Sequence, residues 1–525
     1  MKEWLLKYYK ETLGCLFFLG ISLYYAIGND HFPTMDGASH MHNAYLLKDY
    51  FLGNEVVKQN YELNSFIIPN IFSSYLLMSL LFFFNSAISI FIFQLIHYLL
   101  FFLSFLYFFK AYKVKYSYLL SIVAVLFFNS FLFNLGFYNF SFSVIFLIFS
   151  IAFYFKNFSE LSTKGLTVYS VLLGLLALLY YSNALSFLVF VTYVGIKELN
   201  KVFRMIKTKE QEMRRVLTEQ FKLSLIFLPF LVLLFAFHSS FTFQSLPLFL
   251  NPIKDYLEAI LDLKPFIVYV YLSERNLVKW IGYALIVLIL YTIIIQFKER
   301  ISFVVKDLGL LSLSIIVLVL YLIVPDNSSV GMMSPRFLYF FFVFLILWLF
   351  IQSTDIVKLP VAIIIIIVVF FERDRKHMPV INLLNKDVEL VKDVAQHIKP
   401  NSVVLTLNYH NNWLEPNFSN YLGTDKPVIL LANYEATVGW FPIKWNLKQM
   451  PKYLLGNSEQ LDGAYYCINP SGEPKIIDYV FVFGDRSQIN SNTALNDLLA
   501  KHYQKVITAE NGLCTLYYKK EESSQ

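Results

Sequence analysis

Charge is scarce in this chain of 525 residues. Only 15% are Asp, Glu, Lys or Arg, against about 25% in a soluble domain. Cysteine is scarcer still, with Cys15, Cys467 and Cys514 alone. None stands in a CxxC or zinc-finger spacing, which removes the cysteine-based metal and redox motifs. Cys467 and Cys514 share the C-terminal region, and spacing does not show whether they meet. There are no internal repeats, and the net charge of +6 is modest. It follows loops between apolar runs rather than a basic face, so nucleic acid is not an expected partner. Apolar residues make up 57%, and Phe alone occurs 54 times. Runs such as 311–324 and 361–371 carry no charge. The chain reads as a polytopic α-helical membrane protein.

Loop charges set the expected topology. Lys2, Lys7 and Lys10 place the N-terminus in the cytoplasm by the positive-inside rule. The first apolar span, 11–28, lacks a small-residue cleavage site and reads as an anchor. It delivers the following segment, 29–86, to the outside. The basic loop 197–222, with Lys201, Arg204, Lys207, Lys209, Arg214 and Arg215, is cytoplasmic, as are Lys110 to Lys115. An odd number of crossings must then separate residue 36 from residue 110, yet two apolar runs lie between them. The run 65–84 carries Pro69, Asn70, Ser73 and Ser74 in its first half, which suits a helix lying at the interface. It is assigned as juxtamembrane, and 87–109 as the second span. Further spans follow at 118–135, 137–156, 165–181, 183–199, 222–238, 279–297, 308–324, 337–352 and 358–371. The expectation is about eleven spans, with the C-terminus outside. The location is a cytoplasmic (inner) membrane.

Composition shifts at Glu372. Charges, Pro and Asn appear, and long apolar runs stop. Residues 388–398 and 494–503 read as helices. Strands are expected at 403–407, 428–431, 479–483, 505–508 and 514–518. Together, 372–525 form an expected extracytoplasmic α/β domain, beside a transmembrane domain of 1–371. This region has no GxGxxG, P-loop or nucleophile elbow. The aromatic stretch from Asn433-Tyr434-Glu435 to Trp445-Asn446 suits either a stacked sugar or peptide or a packed contact between domains.

Against this apolar background, one short polar stretch stands out. Pro33-Thr34-Met35-Asp36-Gly37-Ala38-Ser39-His40-Met41-His42 follows the first span directly. A carboxylate and two imidazoles at the mouth of a membrane protein are costly unless solvated or working. If the stretch is helical, His40 shares a face with Asp36 and His42 does not. The topology puts the other polar candidates on the same side. They are Asp49, Glu55 and Glu62 in the first loop, Tyr138, Asn139 and Asn183 at span ends, and Lys254, Asp255, Glu258, Glu274, Arg275 and Lys279 in 239–279. Asp326 and Arg336 flank the tenth span. Plain structural roles compete at each position: a snorkelling Arg336, hydrogen-bonded His40 and His42 in place of a metal site, and a solvated Glu274–Arg275 pair.

The layout resembles the GT-C-fold glycosyltransferases, which include the protein O-mannosyltransferases, the oligosaccharyltransferases and the aminoarabinose transferase of lipid A. In that class one span is followed by a long outer loop with an acidic residue near its start and two juxtamembrane helices. Here Met35-Asp36-Gly37-Ala38-Ser39-His40 matches the acidic position. Residues 38–52 and 65–84 match the two helices. Ser334-Pro335-Arg336-Phe337 resembles a late Arg-aromatic motif. The chain departs from the mannosyltransferases in having no Asp-Glu pair, and it has no Asp-x-Asp. Tyr180-Tyr181-Ser182-Asn183 carries Asn where some relatives carry His. The use of a divalent metal is left open.

The resemblance implies transfer of a sugar from a polyprenyl-phosphate donor to an extracytoplasmic glycan, lipid or protein. Asp36 would take the acceptor proton, ionised at neutral pH with an ordinary pKa near 3.9, and His40 would orient it. Arg336, with Arg275 and Lys279 behind it, would meet the leaving phosphate. His42, Glu62, Tyr138, Asn139 and Asn183 would contact substrate. Other classes fit less well. A transporter or flippase of lipid-linked saccharides would carry mid-span charges and an inverted repeat. An O-antigen polymerase or ligase would have its catalytic loop late in the chain. An assembly protein that binds a partner through its outer domain is the non-enzymatic alternative.

Overall fold

A computed structural model describes residues 2–158, 164–208, 213–240, 252–298, 307–326, 332–352, 355–449, 477–485, 493–509 and 511–520. The contacts divide the chain into two compact units. One holds Met1–Tyr24 and Leu95–Pro379, the other Tyr25–Gln94 and Val380–Gln525.

The first unit is helical. Among the described residues of the chain, five helices are long and apolar enough to cross a bilayer: Ser86–Ala111, Tyr138–Phe158, Leu217–Ser240, Tyr271–Ile294 and Met333–Gln352. Shorter apolar helices are Glu11–Ala26, Phe72–Leu81, Ser117–Phe128, Leu166–Ser182 and Leu308–Ile323. Their burial differs by position in the bundle. Tyr138–Phe158 and Met333–Gln352 are largely enclosed, whereas Leu217–Ser240 is largely exposed. Its exposed residues Phe221, Leu225, Leu228, Val232 and Phe235 recur at three- and four-residue intervals. That apolar stripe suits lipid rather than water.

Two expected spans take a different form. The run at 118–135 is not one helix. Asn129 leaves the helical region at φ −103°, ψ 56°. The Ser130 hydroxyl then caps a second short helix, Phe131–Asn134, by accepting from Phe133 N at 3.4 Å. Polar side chains that satisfy local backbone groups break the run, although its hydropathy is continuous. The last apolar run, Asp355–Glu372, does not end where the composition changes. It passes into a π-helical segment, Arg373–His377, and then into Met378–Ala395.

The second unit carries a helix at each of the two positions assigned as juxtamembrane from sequence. The first is Gly37–Phe51, and the second is Phe72–Leu81. Asn70, at φ +72°, turns the chain just after Pro69, so helix starts only at residue 72. Ten residues rise about 15 Å, half of a bilayer core, and this helix is too short to cross.

The sheet of this unit uses β2 (Ser402–Tyr409), β3 (Val428–Leu430), β5 (Tyr479–Gly484), β6 (Tyr503–Thr508) and β7 (Cys514–Lys519). Its order is β3-β2-β5-β7-β6, with β3, β2 and β5 parallel and the last two antiparallel. All five expected strands are present. Cys514 is buried in β7, and Cys467 lies outside the described residues. A second, two-stranded sheet joins β1 (Tyr61–Leu63) to β4 (Ile443–Trp445). Leu46, Val57 and Tyr61 from the first loop enter one apolar cluster with Val403, Leu405 and Val480 of the large sheet. The Tyr61 and Trp445 rings stack at 4.6 Å. Burying these side chains together removes apolar area that neither segment could cover alone.

Candidate functional site around Asp36

Gly37–Phe51 begins at Asp36, which occupies its N-cap with no side-chain capping bond. Its carboxylate is therefore left for other partners. The Asn417 amide donates to Asp36 Oδ1 at 2.8 Å, and the Tyr434 hydroxyl donates a second bond. His40 lies one turn on, with its backbone N–H bonded to the Asp36 carbonyl at 3.0 Å. Its Nδ1 is 2.8 Å from Glu435 Oε1, and both side chains are buried. The result is a closed group of Asp36, His40, Asn417, Tyr434 and Glu435.

Burial pushes the Asp36 carboxyl up to about 6, and nearby Glu435 adds to the rise. His40, Tyr434 and Asn417 pull the other way. The ordinary carboxylate expected from sequence is thus corrected, because the side chain is only 8% exposed. Loss of hydration disfavours the charged form.

The same helix is fixed on its other side. His42 is fully buried. Its Nε2 donates to the Val428 carbonyl at 2.9 Å, and its Nδ1 faces Asn420 Oδ1 at 3.1 Å. Both ring nitrogens are engaged by groups of this unit. Burial lowers the His42 pKa to about 4. A Cβ at Gly423 would stand 2.4 Å from the His42 ring, so only glycine fits there. Asn43 and Asn433 exchange amide hydrogen bonds of 3.1 and 2.8 Å. The aromatic stretch 433–446 therefore serves as an internal contact of this unit, through Asn433, Tyr434, Glu435 and Trp445. Sequence reading did not single out Asn417 or Glu435 as site residues. Glu435 lies in the aromatic stretch noted from sequence and Asn417 in none, and only the fold brings them beside Asp36.

Glu62 lies in β1, opposite Lys444 of β4, and pairs with it at 3.2 Å. Glu55 is exposed beside Lys58.

The remaining candidates belong to the helical unit. Arg336 sits in the first turn of Met333–Gln352. Its guanidinium lies over the Phe137 ring at 4.8 Å. Its buried Nε meets no acceptor among the described residues. Ser334 and Pro335 just before it line a cavity of about 90 Å³, together with Tyr256, Lys264, Tyr321 and Asp326. Arg275 is committed elsewhere, with Nε 2.8 Å from Asp262 Oδ1. Lys279 is one turn further along that helix. Tyr138 and Asn139 are buried at the start of Tyr138–Phe158. Asn183 caps Ala184–Thr208 by accepting from Leu185 N at 3.1 Å. The competing reading of Glu274 and Arg275 as a solvated pair does not hold, since Arg275 pairs with Asp262. Glu274 is fully buried and accepts from the backbone N–H groups of Val268, Tyr269 and Val270 at 2.5 to 2.9 Å.

No protein-family model matches the sequence, and no curated protein does. Solved structures do match. ArnT from Cupriavidus metallidurans bound to undecaprenyl phosphate superposes with a TM-score of 0.51. The match covers 97% of this chain and 98% of that one, at 8% identity. The apo state of the same protein gives 0.50 at 9% identity over the same shares. The chain is a helical membrane protein whose fold resembles that of ArnT, with a C-terminal mixed sheet.

Proposed function

We propose that this protein is a membrane glycosyltransferase that uses a polyprenyl-phosphate-linked sugar, with Asp36 as its general base. The observation that carries the reading is the closed carboxylate group around Asp36. It lies just after the first apolar helix, in a fold shared with a protein solved with undecaprenyl phosphate. In the reaction, the acceptor hydroxyl loses its proton to Asp36 as its oxygen attacks the anomeric carbon. The bond from that carbon to the phosphate oxygen breaks, and polyprenyl phosphate leaves with the electron pair. A carboxyl pushed up to about 6 is still ionised about ten to one at pH 7, and it is a stronger base than an ordinary carboxylate. Asn417 and Tyr434 hold its orientation, and the His40–Glu435 pair sets the local charge. Arg336 supplies directional donors for the leaving phosphate. His42 acts as a positioning residue for the helix. The acceptor is a glycan, lipid or protein on the outer side. About eleven spans, with the C-terminal domain outside, complete the scheme.

The test is sugar transfer from a labelled polyprenyl-phosphate donor in proteoliposomes. Asp36→Asn keeps the size and removes the base, so transfer should fall by about 10²–10⁴-fold. The exposed Glu55→Gln should retain wild-type turnover. Wild-type turnover in Asp36→Asn would remove the proposed base.

A further inference from the structure

Apart from the Asp36 group, the helical unit holds a second buried cluster: Glu274, Glu372 and His377. Each offers one ligand atom, and these atoms lie within 4.8 Å of one another. All three side chains are buried. His377 Nε2 is 3.3 Å from Glu274 Oε2 and 3.9 Å from Glu372 Oε1.

The backbone irregularity is what builds this cluster. Glu372 and His377 are five residues apart. In an α-helix that spacing turns the second side chain about 140° away from the first. The π-helical segment Arg373–His377, closed by Met378 N–H on the Arg373 carbonyl, widens the turn so that both face Glu274. Such segments recur at functional sites.

The donors are poised but not mutually satisfied. Three of the four lone-pair positions of Glu274 are taken by the N–H groups of Val268, Tyr269 and Val270. The fourth faces His377. Glu372 is 3% exposed, and its Oε1 accepts no hydrogen bond among the described residues. A buried acceptor left bare costs free energy unless something fills the position. His377 Nδ1 contacts the Asn129 amide at 2.9 Å. Asn129 Oδ1 in turn accepts from Asn134 Nδ2 at 3.2 Å, so Asn129 donates to Nδ1 and Nε2–H points at Glu274. A cation on Nε2 would move the ring proton to Nδ1 and turn the Asn129 amide, at the cost of its bond from Asn134. Nearby Arg373 does not occupy the position, since its Nη2 donates to the Tyr24 carbonyl at 2.8 Å.

We propose that Glu274, Glu372 and His377 form a binding site for one divalent cation of the Zn2+ type. Two carboxylates, one imidazole and no thiolate suit that class, and three protein ligands leave a fourth position open. Donors on a tetrahedral Zn2+ stand about 3.3 Å apart at bond lengths of about 2.0 Å, so closing the site needs only a small inward shift of Glu372. The bound ion would tie the first turn of Tyr271–Lys298 to the end of Asp355–Glu372 and the π-helical segment after it. This site is independent of the Asp36 reading.

The full-length protein in detergent is dialysed against EDTA, then titrated with ZnCl2 while binding is followed by calorimetry. One Zn2+ per chain is expected in the wild type, with a rise in melting temperature. Co2+ should give d–d bands of a nitrogen- and oxygen-ligated ion. Glu372→Gln and His377→Gln should each weaken Zn2+ binding by at least about 100-fold, and Asn129→Ala by about 10–100-fold. Glu372→Gln removes a buried carboxylate, so its metal-free melting temperature should equal or exceed that of the metal-free wild type. That comparison separates loss of the site from loss of the fold. Failure of the wild type to bind near-stoichiometric Zn2+, or equal affinity in wild type and Glu372→Gln, would overturn the site.

Discussion

His40 Nδ1 lies 2.8 Å from Glu435 Oε1, across 395 positions of sequence, with both side chains closed off from solvent. The pair flanks Asp36 with one cationic and one anionic influence. His40 lowers the Asp36 pKa and Glu435 raises it. The Asp36 carboxyl is thereby tuned from both sides by its neighbours.

That balance predicts the pH profile. Transfer should fall tenfold per unit below about pH 6, where Asp36 becomes protonated. Glu435→Gln removes the raising charge and should move this acid limb to lower pH. His40→Gln removes the lowering one and should move it up. Identical limbs in all three proteins would show that another group controls the profile.

Stability should also respond to pH, through two opposed groups. Burial lowers the His42 pKa to about 4, so between about pH 6.5 and 4 the unfolded chain binds this proton and the folded one does not. Stability from His42 is lost as pH falls through that window. Asp36 is raised to about 6, so the folded chain binds its proton first, and stability is gained as pH falls from about 6 to 4. The two contributions largely cancel. Asp36→Asn should expose the His42 term, giving a loss of up to about 1.4 kcal/mol per pH unit below pH 6. Denaturant melts in detergent at pH 7, 6 and 5 would read it. A pH dependence no steeper in Asp36→Asn than in the wild type would refute the compensation.

Arg336 provides the donor-side prediction. A guanidinium can grip phosphate with two parallel bonds, and an ammonium cannot. Arg336→Lys should weaken polyprenyl-phosphate binding about tenfold while the protein still inserts, and Arg336→Ala should weaken it more. Unchanged binding in Arg336→Ala would shift the contact to Lys264, Arg275 or Lys279.

Topology can be tested by cysteine labelling, in a background with Cys15, Cys467 and Cys514 replaced. Asn85→Cys should react with an impermeant maleimide from outside, and Lys113→Cys only from the cytoplasm. The reverse pattern would invert the scheme and take the Asp36 group to the cytoplasmic side.

Several elements were legible in the sequence because their causes are local. The five strands of the large sheet follow short β-rich runs, Gly37–Phe51 matches the predicted helix 38–52 to within one residue at each end, and Phe72–Leu81 falls inside the predicted 65–84. Pro69 and Asn70 marked in advance that the run around them would not be helical throughout. Asn129 and Ser130 carried the break in the 118–135 run, yet uniform hydropathy outweighed them. β1 and β4 have three residues each, too few to show a period.

Hydropathy and loop charge, which are sums over neighbours along the chain, determined by themselves that this is a helical membrane protein with a polar stretch at Asp36. The pairing of that stretch with Asn417, Tyr434 and Glu435 was decided only by the tertiary structure. It depends on apolar packing of Leu46, Val57 and Tyr61 against the large sheet, which no local pattern encodes. The same holds for the chemistry. Desolvation is a property of surroundings rather than of residue type, so an aspartate that sequence reads as ordinary becomes, once enclosed, a carboxyl pushed up to about 6.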